Sequence, residues 1–178
     1  MNVRDFLRLY VIPDLKIGAP RTLLEQTEAA LKGGATLIQL RDKQSNGREL
    51  FEIAVAMKKI CHKYGAPLII NDRLDIAILT GIKNIHLPGT GLPVEEVKQA
   101  FPDFRVGVST HSLLEAKQAE LAGADYCFFG HIFETNSKKG LPARGLETLS
   151  QITADISIPI IAIGGITPWK LDVRRNGV

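Results

Sequence analysis

A histidine, hydroxyl groups and lysines follow a short apolar run in segment 128–140, and this combination suits chemistry on an anion. The apolar run ends at Phe128 and Phe129, and a glycine separates it from His131. An imidazole at such a rim can accept or donate a proton near neutral pH. We therefore take His131 as the candidate acid or base, with an alternative role as a strand-end residue that bonds backbone groups. The candidate anion ligands of the segment are Thr135, Ser137, Lys138 and Lys139.

Short apolar runs alternate with longer amphipathic runs along the chain, which predicts seven strand-and-helix units. The predicted strands are 9–13, 37–40, 67–70, 84–87, 105–108, 125–129 and 159–163. The predicted helices are 22–32, 48–64, 74–80, 94–101, 113–122, 146–156 and one from Pro168. Such repeats predict an α/β fold, either an open doubly wound sheet or a (β/α)8 TIM-type barrel.

Polar residues at nearly every strand's carboxyl end favour the barrel, because barrel enzymes build their active sites at that face. Candidates at these ends are Arg41 and Lys43 after the second strand, Asn71 after the third, Ser109 after the fifth, and Gly164 and Gly165 after the seventh. We expect these residues and His131 to form one constellation. We also expect one domain over residues 1–178, with the eighth strand and helix missing after 176–178.

Composition predicts a soluble, cytoplasmic protein. The chain has 178 residues, a net charge of +3 and 45% hydrophobic residues. It has no apolar stretch of roughly 20 residues for a membrane span and no basic run of the kind that binds nucleic acid. Charged residues Arg4, Asp5 and Arg8 interrupt the start, so we expect no secretory signal. Cys61 and Cys127 lack metal-ligand spacing and are expected to be reduced thiols.

Five segments together resemble the thiamin phosphate synthase superfamily over essentially the whole chain. They are 39–43, 71–73, 107–112, 128–140 and 162–167. The resemblance is closest to the TenI branch, the thiazole tautomerases. Synthases usually carry Gly-Pro and Pro-Thr in the sixth loop, where this chain has Gly130-His131 and Glu134-Thr135. They also carry a magnesium-binding aspartate after the fourth strand, where segment 87–91 has no carboxylate.

This branch resemblance implies an isomerase of thiamin biosynthesis. The implied reaction converts an exocyclic alkylidene carboxythiazole phosphate to its aromatic isomer, with His131 taking the ring proton and returning one to the exocyclic carbon. It needs no cofactor and no metal site, and its partner is a small phosphorylated thiazole. We expect no nucleic-acid or membrane partner, and a homo-oligomer stays open.

The resemblance also implies the substrate contacts. It places Gly164 and Gly165 on the substrate phosphate through backbone amides, with Thr135 and Ser137 as hydrogen-bonding hydroxyls. Positions matching Arg41, Lys43 and Lys138 hold pyrophosphate in the synthases and would meet the substrate carboxylate in a tautomerase. Positions matching Gln39, Asn71 and Ser109 shape the pocket.

Two alternatives to the tautomerase stay open. One is thiamin phosphate synthase, which couples a pyrimidine to a thiazole with magnesium; Asp72 alone is expected to be a poor site for that ion. The other is a regulatory protein that binds a thiazole phosphate without turnover. His86, inward on the fourth strand, is expected to be a hydrogen-bonded core histidine.

Overall fold

Strands and helices alternate throughout residues 7–171, the part of the chain that the computed structural model describes. The strands there are β1 Tyr10–Val11, β2 Leu37–Leu40, β3 Leu68–Asn71, β4 Asn84–Leu87, β5 Arg105–Thr110, β6 Tyr126–Gly130 and β7 Ile160–Ile163. The α-helices there are α1 Leu23–Lys32, α2 Gly47–Lys63, α3 Leu74–Thr80, α4 Val94–Ala100, α5 Leu113–Leu121, α6 Gly145–Asp155 and α7 Pro168–Leu171. One 3-10 turn, Asn136–Lys138, lies between β6 and α6.

The predicted alternation of seven strands with helices is confirmed, with the strand and helix ends displaced by at most two residues. The 3-10 turn was not predicted. Closure into a barrel remains a prediction. The predicted helix end at 176–178, on which the expectation of a missing eighth unit rests, lies outside the described residues.

Reciprocal side-chain bonds start the first two helices. The Thr22 hydroxyl accepts a hydrogen bond from the amide of Glu25 at 3.2 Å, and the Glu25 carboxylate accepts one from the amide of Thr22 at 2.8 Å. Asn46 and Glu49 repeat this arrangement at the start of α2. Each reciprocal pair of bonds satisfies backbone donors that the first helical turn leaves unpaired. The chain therefore enters each helix at a defined residue after the polar loop that follows a strand.

Two compact units divide the chain at Gly107 and Val108, inside β5. In the first unit, β1 pairs with β2, β2 with β3 and β3 with β4, all in parallel. The amide of Arg105 at the start of β5 donates to the carbonyl of Lys83, just before β4, at 2.8 Å. The centre of this unit is almost inaccessible to solvent at Ile38, Leu40, Met57, Ile70 and Ile85, as expected of parallel strands covered on both faces.

The second unit contains the end of β5 together with β6 and β7, which pair in parallel. Its core includes Ala116, Phe129, Ile132, Ile152 and Ile156. A side chain at Gly130 would overlap the backbone carbonyl of Ile163 on β7. The missing side chain of Gly130 therefore allows close approach of β7.

Both cysteines are free and buried, one in each unit. Burial raises the pKa of the Cys61 thiol to about 11 and that of the Cys127 thiol to about 12. The thiols are therefore protonated and unreactive at neutral pH, because the thiolate is the nucleophilic form. Among the described helices, none is long and apolar enough to cross a membrane.

Gly130→Ala should destabilise the second unit, because the added methyl group would overlap the Ile163 carbonyl and push β7 away from β6. Overpacking of this kind costs about 1 to 3 kcal/mol. Urea unfolding followed by circular dichroism measures the loss. The control is Gly33→Ala, where the methyl group would lie 3.4 Å from the nearest carbonyl oxygens and φ is −79°. Equal stability of the two variants would contradict the packing argument.

Candidate functional site

A chain of side-chain hydrogen bonds crosses the ends of the first three strands. The phenol of Tyr10 donates to Oε1 of Gln39 at 2.6 Å, and Nε2 of Gln39 donates to Oδ1 of Asn71 at 2.8 Å. Gln39 is only 1% exposed. Parallel pairing places Gln39 opposite Ile69 and Leu40 opposite Ile70, which brings the Gln39 side chain on β2 within reach of Asn71 on β3. The structure thus brings together two of the predicted pocket residues.

Two predicted cations, Arg41 and Lys43, line one cavity of about 210 Å³. Lys16, Asp14 and Asp42 line it as well. The Asp14 carboxylate accepts bonds from the backbone amides of Ile17 and Lys16, which hold its pKa below the usual value. Within residues 7–171, neither Arg41 nor Lys43 forms an ion pair with another described residue. Their charges are therefore available to an anionic ligand.

Asp42 lies between these cations in the sequence, and its carboxylate stabilises the loop that follows β2. Its carboxylate accepts a bond from the Ser45 hydroxyl at 2.6 Å and from the Gln44 amide at 2.8 Å. These bonds hold the turn between β2 and α2. Asp42 therefore fixes the loop that carries Arg41 and Lys43.

Asp72 follows β3 in the left-handed backbone region, with φ 65°. Its amide donates to the carbonyl of His86 at 2.9 Å. A Cβ atom on Gly91 would lie 3.1 Å from Oδ1 of Asp72, so the missing side chain at 91 leaves room beside this carboxylate. Arg73 forms its ion pair with Asp75 at 2.7 Å. Across the described ranges, no cluster of three or more His, Cys, Asp or Glu residues is arranged to hold a metal ion.

His86 is buried on β4, directly opposite Asn71 of β3. Burial lowers the pKa of its imidazole to about 3. The ring is therefore uncharged at neutral pH, in agreement with the core position that the sequence predicted.

In the second unit, the ring of His131 bonds to the backbone. Its Nε2 lies 3.2 Å from the carbonyl oxygen of Leu141, and a carbonyl only accepts, so Nε2 carries a proton. The residue is 8% exposed, and its own carbonyl accepts from the amide of Arg144 at 2.9 Å. His131 thus joins both ends of the loop that carries the predicted anion ligands. This geometry matches the alternative in which the ring bonds backbone groups.

The glycine pair after β7 packs directly on that loop. Gly164 and Gly165 have φ values of 96° and 67°, a region that favours glycine. A Cβ atom on Gly164 would overlap Cβ of His131, and one on Gly165 would lie 2.5 Å from the carbonyl oxygen of Glu134. Close backbone packing therefore places His131 beside the predicted phosphate-binding glycines.

The remaining candidates of this unit lie on the loop and on β5. The Thr135 hydroxyl accepts from the amide of Ser137 at 3.4 Å at the start of the 3-10 turn. Ser137 and Lys138 are exposed, and Ser109 is half-buried on β5. The turn presents both the hydroxyl of Ser137 and the ammonium of Lys138 to solvent, where an anion can reach them.

Three contacts around these groups were missed from the sequence. Tyr10 was not singled out at all. Both Nδ1 of His111, at 3.0 Å, and Nε of Arg144, at 3.2 Å, contact the carbonyl oxygen of Gly130. Both fix the backbone immediately before His131. The sequence signal for His111 was its place beside a helix start, whereas Arg144 lies in a polar loop with no distinguishing pattern.

Comparison with known proteins identifies relatives over nearly the whole chain. The sequence profile of the family described as thiamine monophosphate synthase matches residues 9–177. Thiamine-phosphate synthase of Desulfitobacterium hafniense is 42% identical over 94% of this chain and 82% of its own length. The protein of the same name from Pyrococcus horikoshii is 37% identical over 93% of this chain and 79% of its own length.

Solved structures agree with the sequence comparison. Thiamine phosphate pyrophosphorylase from Pyrococcus furiosus superposes with a TM-score of 0.88 at 36% identity, covering 99% of this chain and 85% of that one. An N-acetylmannosamine-6-phosphate 2-epimerase from Clostridium perfringens reaches a TM-score of 0.65 at 16% identity, covering 94% of this chain and 80% of that one, and shares the fold alone.

The prediction of a thiazole tautomerase is wrong. Relatives at 37 to 42% identity are named thiamine-phosphate synthase, and the similar solved structure carries the corresponding name. The prediction rested on Gly130-His131 and Glu134-Thr135 in the sixth loop and on the absent carboxylate in segment 87–91. The inference from the carboxylate fails physically, because magnesium is commonly held by one or two carboxylates together with substrate phosphates. The acid/base role given to His131 in the isomerisation falls with that reaction.

Acid should destabilise the protein through His86. Its pKa of about 3 in the folded chain lies below the unfolded value of about 6.5, so the unfolded chain binds the extra proton between these pH values. Stability from this group is present above pH 6.5 and is lost as pH falls, by about 1.4 kcal/mol per pH unit. Urea unfolding between pH 7 and pH 4.5 should show a shallower pH dependence for His86→Gln than for the wild type. Parallel curves would contradict a neutral buried imidazole.

Proposed function

Since the chain belongs to the thiamine monophosphate synthase family, we propose that it joins an aminopyrimidine diphosphate to a thiazole phosphate to form thiamin phosphate. The observation that carries the proposal is the identity to synthases over more than nine-tenths of this chain. The cavity lined by Arg41 and Lys43 supports it, because these cations suit a diphosphate.

The reaction is a displacement at carbon. The ring nitrogen of the thiazole attacks the methylene carbon of the pyrimidine, a C–N bond forms, and the C–O bond to the diphosphate breaks. Pyrophosphate leaves with the bonding electrons. No proton has to be removed from the thiazole ring in this step, so the protein has to position two anions and stabilise the charge of the leaving group.

We assign the diphosphate to Arg41 and Lys43. The Asp42 bonds to Gln44 and Ser45 hold both cations in their loop. An arginine presents a planar fork to phosphate oxygens, whereas a lysine contributes a compact charge. Their side chains are exposed in the absence of ligand, which leaves them accessible to the incoming diphosphate.

We assign the thiazole phosphate to the backbone amides of Gly164 and Gly165 and to the hydroxyls of Thr135 and Ser137. Both glycines lie in the turn that follows β7 with positive φ, and backbone amides in turns are a recurrent anion-binding arrangement. His131 supports the residues that carry these groups. Its ring bonds to the Leu141 carbonyl, and its Cβ packs against Gly164. In this assignment His131 positions the loop, and Ser109 contributes a hydroxyl to the pocket.

A magnesium ion suits this reaction, and the residues present fit one. The Asp72 carboxylate has room beside it because Gly91 lacks a side chain, and one carboxylate with diphosphate oxygens is a common magnesium environment. Asp72 would therefore hold the ion. When bound, magnesium neutralises charge on the leaving diphosphate.

Incubation with the aminopyrimidine diphosphate, thiazole phosphate and magnesium should yield thiamin phosphate and one equivalent of pyrophosphate. Product is measured by chromatography after oxidation to the fluorescent thiochrome, and pyrophosphate by a coupled enzymatic assay. A chelator should abolish both signals, and magnesium should restore them. Tight binding of thiazole phosphate with no product would contradict the synthase and support a regulatory binding protein.

Arg41→Ala and Lys43→Ala should each raise the KM for the aminopyrimidine diphosphate by about tenfold or more, because each removes a charged hydrogen-bond donor. The KM for thiazole phosphate should change little. The matched control is Lys83→Ala, which removes an exposed lysine paired with Asp103 at 2.9 Å in the same unit. An equal rise in both KM values, or a similar effect of the control, would show that these cations do not bind the diphosphate.

A further inference from the structure

The hydrogen-bond chain that starts at Tyr10 has a direction. The Gln39 side chain is almost completely buried, so both ends of its amide need partners inside the protein. The Tyr10 hydroxyl lies 2.6 Å from Oε1 of Gln39 and gives it a donor. That contact turns Nε2 of Gln39 toward Oδ1 of Asn71, 2.8 Å away.

The orientation of Gln39 sets the orientation of Asn71. Because Oδ1 of Asn71 accepts from Gln39, the Nδ2 group of Asn71 occupies the opposite side of that amide. Asn71 is the last residue of β3 and directly precedes Asp72, and its side chain is only partly buried. A flipped Asn71 would place its Nδ2 against Nε2 of Gln39, so that two donors would face each other without an acceptor. The observed orientation therefore leaves Nδ2 of Asn71 on the far side of the amide as a donor.

We propose that Tyr10 is a positioning residue that acts through Gln39 to hold Asn71 with its Nδ2 group ready to donate to the ligand. The identity of the ligand rests on the proposed function, but the relay itself does not. Two acceptors of the aminopyrimidine diphosphate could receive this bond, namely a diphosphate oxygen and a pyrimidine ring nitrogen. The two share one chemistry and are separable by fragments of the substrate.

A double-mutant cycle tests whether Tyr10 acts through Asn71. Tyr10→Phe removes only the hydroxyl and should weaken binding of the substrate fragment by about three- to tenfold. Asn71→Ala should weaken it by a similar factor. In the Asn71→Ala background, Tyr10→Phe should have an effect of less than about twofold, because the group it orients is gone. Equal effects in both backgrounds would overturn the proposal and assign Tyr10 to general stability.

The binding probes are inorganic pyrophosphate with magnesium and the free aminopyrimidine alcohol, each measured by titration calorimetry. Loss confined to pyrophosphate assigns the Asn71 donor to the diphosphate, and loss confined to the alcohol assigns it to the ring nitrogen. The control is Tyr64→Phe. The Tyr64 hydroxyl lies at the end of α2 and donates to Glu28 at 3.0 Å. It makes no bond to the relay, so its removal should leave both affinities unchanged.

A ligand-free measurement separates the relay from the proposed function. In ¹⁵N spectra of the free protein, the side-chain amide signals of Gln39 and Asn71 should shift, and their exchange with water should accelerate, in Tyr10→Phe but not in Tyr64→Phe. Unchanged Asn71 signals would overturn the relay whatever the ligand. If the signals respond as expected but the wild type makes no thiamin phosphate, the proposed function fails and the relay stands.

Discussion

In the second unit, β6 and the loop after it pack so closely against β7 and the loop after it that three glycine positions have no room for a side chain. Gly130 borders the carbonyl of Ile163, Gly164 borders Cβ of His131, and Gly165 borders the carbonyl of Glu134. The amides of Ile132 and Phe133 bond to the carbonyls of Ile163 and Gly164. The loop after β6 and the loop after β7 are therefore one packed structure. Placement of His131 and of the hydroxyl-bearing turn depends on that contact.

In the first unit the main constraint is that the buried side-chain amide of Gln39 must have hydrogen-bond partners. Leaving a donor or acceptor of Gln39 unpaired in its surroundings would cost about 1 to 3 kcal/mol. Partners on the two neighbouring strands remove that cost, and parallel pairing brings them within reach. The polar groups of this unit are thus part of its core as well as of its candidate site. A substitution there alters stability and ligand contacts together.

Local patterns carried enough information for the secondary structure, because capping residues and apolar periodicity act over a few positions. Apolar periodicity placed the helices that Thr22, Asn46 and Ser112 cap within one residue of their observed ends. Side-chain partners across strands were not predictable in this way. Tyr10 and Gln39 are 29 positions apart, and neither period nor composition indicates which atoms meet. The ring of His131 likewise turns toward Leu141, which its place after a strand does not reveal.

The error about function had a physical origin. Local differences in the sixth loop and in segment 87–91 were treated as a change of reaction, although magnesium commonly takes part of its ligands from substrate phosphates. Resemblance across five segments carried more information than these local differences.

Each unit contains one buried cysteine, and its reaction with a thiol reagent can report on the opening of that unit. Cys61 lies on α2 and Cys127 on β6, and both are closed to solvent and protonated. A thiol reagent can modify either one only when the surrounding structure opens. Alkylation followed by peptide mass analysis would therefore record the opening of the two units separately, in the unaltered sequence and without any introduced probe.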